Sequence, residues 1–161
     1  MIRVTRNDAG VAGGIEALPF GVLVFVVGAL LIANTWAVID AKLAVSSAAR
    51  EATRTYVEAP AALSSEDAFA AARAAGEAAF AAQRGSSRRP ELSLMAGAGQ
   101  SRERCALVVA EASYRVPAVT VPWVGGFGRG FVVRARHSEI VDPFRAGLAG
   151  TANCTGEGGT P

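Results

Sequence analysis

Histidine occurs once and cysteine twice among the 161 residues. A zinc site built from His and Cys alone needs four ligands, and an iron–sulfur cluster on thiolates needs four cysteines, so neither can form within the chain. Any imidazole chemistry must rest on His137. Aromatic residues are scarce at 7% while hydrophobic residues reach 51%, so alanine and small aliphatics carry the apolar content. Charged residues are scarce too, at 19% against the roughly 25% of an ordinary soluble domain. Sixteen basic and 14 acidic residues leave a net charge of +2, too even for a protein that grips nucleic acid through a basic face. The composition therefore points to no metal, no cofactor and no nucleic-acid partner.

The few charges are unevenly spread. None falls between Ala17 and Ile39, in the run ALPFGVLVFVVGALLIANTWAVI. As a helix this run is about 34 Å long, enough to cross a hydrocarbon core about 30 Å thick. It is too long and too evenly apolar for a half-buried helix, and it predicts a transmembrane helix over 17–39. The rival is a cleaved signal peptide, whose apolar core is shorter and ends at a small-residue cleavage site. Here the run passes straight into DAKLAVSSAAREATRTYVEA, with no proline or glycine before Pro60. Pro19 is expected near the helix start and Pro60 at its end, giving one rod of about 42 residues and near 60 Å. Residues 40–59 would be its extension outside the membrane.

Residues 1–16 read as a cytoplasmic leader. Arg3 and Arg6 precede the span while Lys42, Arg50 and Arg54 follow it, so basic residues do not decide orientation. Length favours a cytoplasmic N-terminus and an exported C-terminal part. Ala29, Ala33, Ala37 and Ala41 recur every fourth position, a small-residue ridge along which another helix could approach; an alanine-rich chain also produces such a ridge by composition alone. Glu16 stands at the boundary of the span, where a lone carboxylate is costly in lipid. Two readings of it stand side by side: a favourable charge at a helix N-terminus, or a partner for a cation on another subunit.

Together these residues resemble a known family. DAGVAGGIEALPFGVLVFVVGALLIANTWAVIDAKLAVSSAAREATRTYVEA is similar to the N-terminus of TadE-like pilus-assembly proteins, minor pilins of the tight-adherence secretion apparatus, of the actinobacterial type. The matching elements are Gly10, Glu16, Pro19 and the stretch Ala48-Ala49-Arg50-Glu51-Ala52, with a looser likeness in SYRVPAVTVPWVGGFGRGFVVRARHSE. The resemblance implies a prepilin peptidase cutting between Gly10 and Val11. The family's glutamate is fifth in the mature chain, whereas that cut would leave Glu16 sixth. It further implies that Glu16 neutralises a neighbouring subunit's new amino terminus, while Ala29, Ala33 and Ala37 offer a packing face.

Beyond Pro60, residues 60–146 read as an extracytoplasmic α+β domain. Ser64 is placed to cap a helix with Asp67 three residues on, and Phe69, Gly76 and Phe80 fall on one face of it. Arg84, Arg88 and Arg89 lie in a loop marked by Gly, Ser and Pro, either solvated or against acidic lipid headgroups. After Pro90 the period becomes two. Leu92 and Leu94 alternate, Ala106 to Val116 place every second residue on an apolar face, and Phe131, Val133 and Ala135 oppose Arg134 and Arg136. Residues 117–130 form a turn-rich connection in which Trp123 and Phe127 either make a contact surface or cap the sheet. The glycines at 125, 126, 128 and 130 lack the strand, helix and Lys-Ser or Lys-Thr pair of a phosphate loop. His137 and Glu139 share a strand face, but Ser138 points the other way, so base and nucleophile do not meet. Cys105 and Cys154 are expected to form a disulfide in an oxidising compartment; the alternative is a buried Cys105 and a free thiol in a mobile Gly- and Thr-rich tail, 147–161.

The expected fold is a long N-terminal transmembrane helix continuing outside the membrane, then a short helix on a small antiparallel sheet, pilin-like in plan. The expected function is non-enzymatic: a membrane-anchored pilus-assembly component or minor pilin that meets other subunits through its N-terminal helix. The alternative is a single-pass envelope binding module that never enters a fibre. Either requires the span. Val26→Arg, near its middle, should cost about 2.5–3.5 kcal/mol on insertion and reduce the membrane-bound fraction. Fractionation checks it: a full-length chain soluble without detergent would remove the span.

Overall fold

The computed structural model describes residues 12–85, 88–96, 102–118, 120–121, 125–126 and 130–154; of 12–16, 120–121 and 125–126 it describes the backbone alone. The chain is α+β. Helix α1 covers Ala12–Glu58 and α2 covers Ser65–Arg84. Strands β1 (Glu91–Ala96), β2 (Leu107–Val116) and β5 (Phe131–Ile140) form an antiparallel sheet in the order β1-β2-β5. Between β2 and β5, β3 (Thr120–Val121) and β4 (Gly125–Gly126) make a separate two-stranded pair.

Helix α1 is 47 residues long and begins earlier than the sequence suggests. Pro19 therefore lies inside it rather than at its start, and the Ile15 carbonyl forgoes its helical bond because proline has no N–H. The other end is closed from far away. No basic residue stands in the last turn of α1, and Arg145 supplies the charge instead. Its Nη1 donates to the Val57 carbonyl at 2.8 Å and its Nη2 to those of Glu58 and Ala59 at 2.5 and 3.0 Å. Arg102, buried, donates from Nη2 to the Pro60 and Leu63 carbonyls at 2.6 and 3.3 Å. Cations at the negative end of a helix satisfy orphan carbonyls and the dipole together.

Helix α2 starts where Ser64 accepts from the Asp67 N–H at 3.0 Å and ends at Gly85, whose φ of 55° lets its N–H reach the Ala81 carbonyl. Its buried stripe is Ala68, Ala72, Gly76 and Phe80. Phe69, expected on that stripe, lies at its edge, 37% exposed and lining a cleft with Tyr56, Leu94 and Ala96, while the facing side of α1 is made mostly of small residues. That side is Ala41, Ala44, Val45, Ala48 and Ala52, all fully buried. A Cβ on Gly76 would stand 2.9 Å from the Ala48 carbonyl oxygen and 3.1 Å from the Ala52 Cβ.

The sheet lays its apolar face on these helices. Leu92, Leu94, Val108, Ala110, Ala112, Tyr114, Val133 and Ala135 are buried, following the period of two. Helix α2 packs on β1, while the C-terminal half of α1 covers β2 and β5. The rod is thus part of the core as well as its carrier. Phe80 stacks on Tyr114 with ring centroids 4.9 Å apart, and the Arg84 guanidinium lies 5.1 Å above the Tyr114 ring. After β5, Leu148 packs against the core and the Ala149 carbonyl accepts from the Arg104 N–H at 2.9 Å; the tail read as 147–161 lies outside the described residues from 155 on.

Gly76→Val should therefore destabilise the head by about 1–3 kcal/mol through overpacking, although glycine is the poorer helix former. Gly28→Ala, where a Cβ meets nothing within 4 Å, should not destabilise and should gain up to about 1 kcal/mol from alanine's better helix propensity. Unfolding of the detergent-solubilised protein, followed by circular dichroism, separates the two.

Candidate functional site

Two surfaces of α1 differ in what surrounds them. From Ala41 to Ala59 the helix is gripped by its own head. From Ala17 to Val27 every residue is exposed, and Phe25, Ile32 and Trp36 are among the large apolar side chains left open. The helix is long and apolar enough to cross a membrane. Its polar residues in the span are satisfied locally: Asn34 Nδ2 donates to the Leu30 carbonyl at 2.8 Å and Thr35 Oγ1 to that of Leu31 at 2.9 Å. Such bonds to the preceding turn keep polar groups tolerable in lipid.

The small-residue ridge is divided between these surroundings. Ala41 is buried beneath the head and Ala37 is half-buried, with its carbonyl accepting from Arg84 Nη1 at 3.3 Å. Ala29 and Ala33 are exposed. Glu16 lies in the first turns of α1, but its side chain falls outside the described residues, as do Gly10, Val11, Trp123 and Phe127.

Comparison with protein-family models, with curated proteins and with solved structures finds no match. The site must therefore be judged on its chemistry.

His137 Nε2 and Glu139 Oε1 are 3.1 Å apart, so the pair expected on one strand face does form. Ser138 sits on the opposite face, level with Val109 in the register. Nearby on α1, Arg54 Nε donates to Glu58 Oε1 at 3.1 Å. That hydrogen bond, then the charges of Glu58, Glu51 and Glu139, hold the Arg54 guanidinium even more firmly protonated than usual. A cleft of about 480 Å³ is lined by Tyr56, Ser65, Glu66, Phe69, Leu94 and Ala96. No group of three His, Cys, Asp or Glu among the described residues is arranged to hold a metal ion.

Cys105 and Cys154 are joined by a disulfide, with Cα atoms 5.2 Å apart. Around it the Cys105 N–H donates to the Val141 carbonyl at 3.0 Å, and Cys105 holds a positive φ of 63°, uncommon for a side-chain-bearing residue. The bridge fastens the C-terminal segment that follows the turn after β5, the turn from which Arg145 reaches α1. Missing from the sequence reading were Arg102, Arg104 and Arg145. Their one visible signal was an arginine at each edge of the last strand pair, which nothing local explained.

The bridge closes a segment of 49 residues in sequence separation, worth about 4 kcal/mol in the chain-entropy picture. Cys154→Ser should lower the unfolding midpoint and admit protease to the tail first. Matching midpoints for the parent with and without reductant would show that the bridge contributes nothing.

Proposed function

We propose that this chain is a non-enzymatic, membrane-anchored TadE-like pilus-assembly component or minor pilin, with its N-terminus cytoplasmic and its head exported. One observation carries the reading. A single helix presents an open apolar half of membrane length and buries its other half as the spine of an α+β head. A protein so made meets partners in the membrane with its stem and outside it with its head. The disulfide supports export, because such bonds persist in oxidising compartments. The N-terminal resemblance supports the assignment of the stem.

In this reading the work is helix packing. Ala29 and Ala33 are the part of the ridge left for other subunits, while Ala37 lies at the margin of the head. Glu16 accepts the positive charge of a neighbouring subunit's amino terminus, freed by a prepilin peptidase cutting after Gly10. A carboxylate facing an ammonium in a low-dielectric boundary fixes register between helices, since a shift by one turn would strand both charges.

The mature N-terminus and the partners test this together. Cleavage should place Val11 first, and Glu16→Gln should leave membrane insertion intact while reducing co-purification of other pilus-assembly subunits several-fold. Equal co-purification by the parent and Glu16→Gln would remove the pairing role. An uncleaved leader with no pilin partners would favour the single-pass envelope module that never enters a fibre.

A further inference from the structure

We propose that the rim of the head facing the membrane binds the headgroups of anionic lipids in the bilayer that its own stem enters. The inference rests on the reading of 17–39 as a span, and on no partner protein.

Three contacts fix the level of this rim along α1. Arg84 Nη1 reaches the Ala37 carbonyl and Asp40 Oδ2 at 3.3 and 3.2 Å. Lys42 Nζ donates to the Arg134 carbonyl on β5. Trp36, 72% exposed, is the kind of residue that settles among headgroups. The end of α2 and the start of β5 therefore stand where the charge-free run gives way to Asp40.

From Arg134, β5 runs three more residues toward the membrane, about 10 Å of strand. That matches roughly seven residues of helix and brings Phe131 to about the level of Trp36. Phe131 and Val132 are 59% and 47% exposed there. Arg115 is the register partner of Val132 on β2, and both lie on the sheet face turned away from the helices. Arg134 follows two residues along the same face, and Arg88 is exposed just after α2.

Apolar side chains at the strand ends, flanked by exposed guanidiniums, match the boundary between acyl chains and phosphates. The carboxylates at this end are Asp40, already paired with Arg84, and Glu91, within 3.4 Å of Ser113 Oγ. Glu58, Glu66, Asp67, Glu103 and Asp142 lie toward the opposite end, beside the α1 C-terminus, the α2 N-terminus and the loops that meet them. That end also carries Arg54, Arg102, Arg104 and Arg145, so its charges nearly balance, whereas among the described residues the end toward the bilayer is net basic. A neutral surface suits Phe131 and Val132 alone; an anionic one also attracts, by net charge, the exposed guanidiniums of Arg88, Arg115 and Arg134, whatever contacts they already make within the protein.

The test uses the full chain with its disulfide intact and one copy per lipid nanodisc. Val132→Cys carries an environment-sensitive fluorophore, and Met95→Cys, at the other end of the same sheet face, carries it as control. Discs of phosphatidylcholine are compared with discs in which about a third of the lipid is phosphatidylglycerol. The Val132 label should shift to the blue and be quenched by headgroup-proximal doxyl lipid in the anionic discs, and the Met95 label in neither. Arg115→Gln and Arg134→Gln should each lower the ratio of docked to undocked heads about fivefold. Salt at about 1 M, where screening acts within about 3 Å, should release the head. Equal quenching in both lipids, unmoved by salt, would overturn the headgroup role and leave apolar contact only. Absence of quenching in both would overturn docking altogether. Failure to enter the discs appears one step earlier, at incorporation, and would overturn the span itself.

Discussion

Between Ala48 and Gly76 the two helices run so close that a methyl on Gly76 would sit 2.9 Å from a backbone oxygen, and that separation sets the width of the head. Everything that follows in the chain is built to it. The sheet rests on α1 through small residues as well, Ala110, Ala112 and Ala135, which are buried on β2 and β5. Bulk is supplied at the margins, by Phe80 against Tyr114 near one end and Tyr56 near the other. A core of alanines buries little area per residue, so it must gain its stability from close packing over length. This explains how a chain with few aromatics forms a head at all, and why its long helix has to be shared.

That sharing also explains what the sequence made visible and what it hid. A charge-free run, a serine followed at the third residue by aspartate, and residues alternating in polarity are local signals, and the span, the α2 cap and the three main strands follow from them. The bridge could be inferred from counting two cysteines and a compartment. Ring spacing in α2 points to Phe69, whereas the helix packs through Ala68, Ala72, Gly76 and Phe80, because its neighbour's face is made mostly of methyls and small residues leave no periodic bulk in the sequence. Pro19 was taken as a helix start because proline is tolerated there, yet a helix whose flanks are apolar absorbs one missing bond and runs on. Arg145 could not be read at all: its acceptors are the carbonyls of Val57, Glu58 and Ala59, and sequence spacing carries no trace of a bond across 86 to 88 positions. For the stem, the ridge was legible but its division was not, since only the fold shows that Ala41 belongs to the head and Ala33 does not.

The stem and the head meet through fastenings of different strength along one axis. Near the membrane Arg84 and Lys42 tie α2 and β5 to α1 by exposed or half-exposed bonds, each worth little against water. At the far end, Arg145 and the buried Arg102 hold the helix terminus with hydrogen bonds to several carbonyls, and the disulfide keeps the segment carrying Arg145 in place. Charged donors in buried settings are costly to lose, so the far end is the more permanent. Between the two lies the alanine seam, which has no polar bonds to break and resists by packing alone.

Such an arrangement has a mechanical consequence for whatever the stem does in the membrane. A helix that runs without a break from an open apolar half, long enough to cross a membrane, into a protein core couples rotation about its axis to the sheet. A Cβ added at Gly21 or Gly28 would meet nothing within 4 Å, so the head does not brace the helix at either position. From Ala41 onward α1 is packed into the head, so the direction of the open half and that of the sheet are fixed relative to each other. Under the proposed function, a subunit packing on Ala29 and Ala33 would also decide which way the sheet faces. In a protein with a short, flexible stem those two choices would be independent; here the shared helix makes them one.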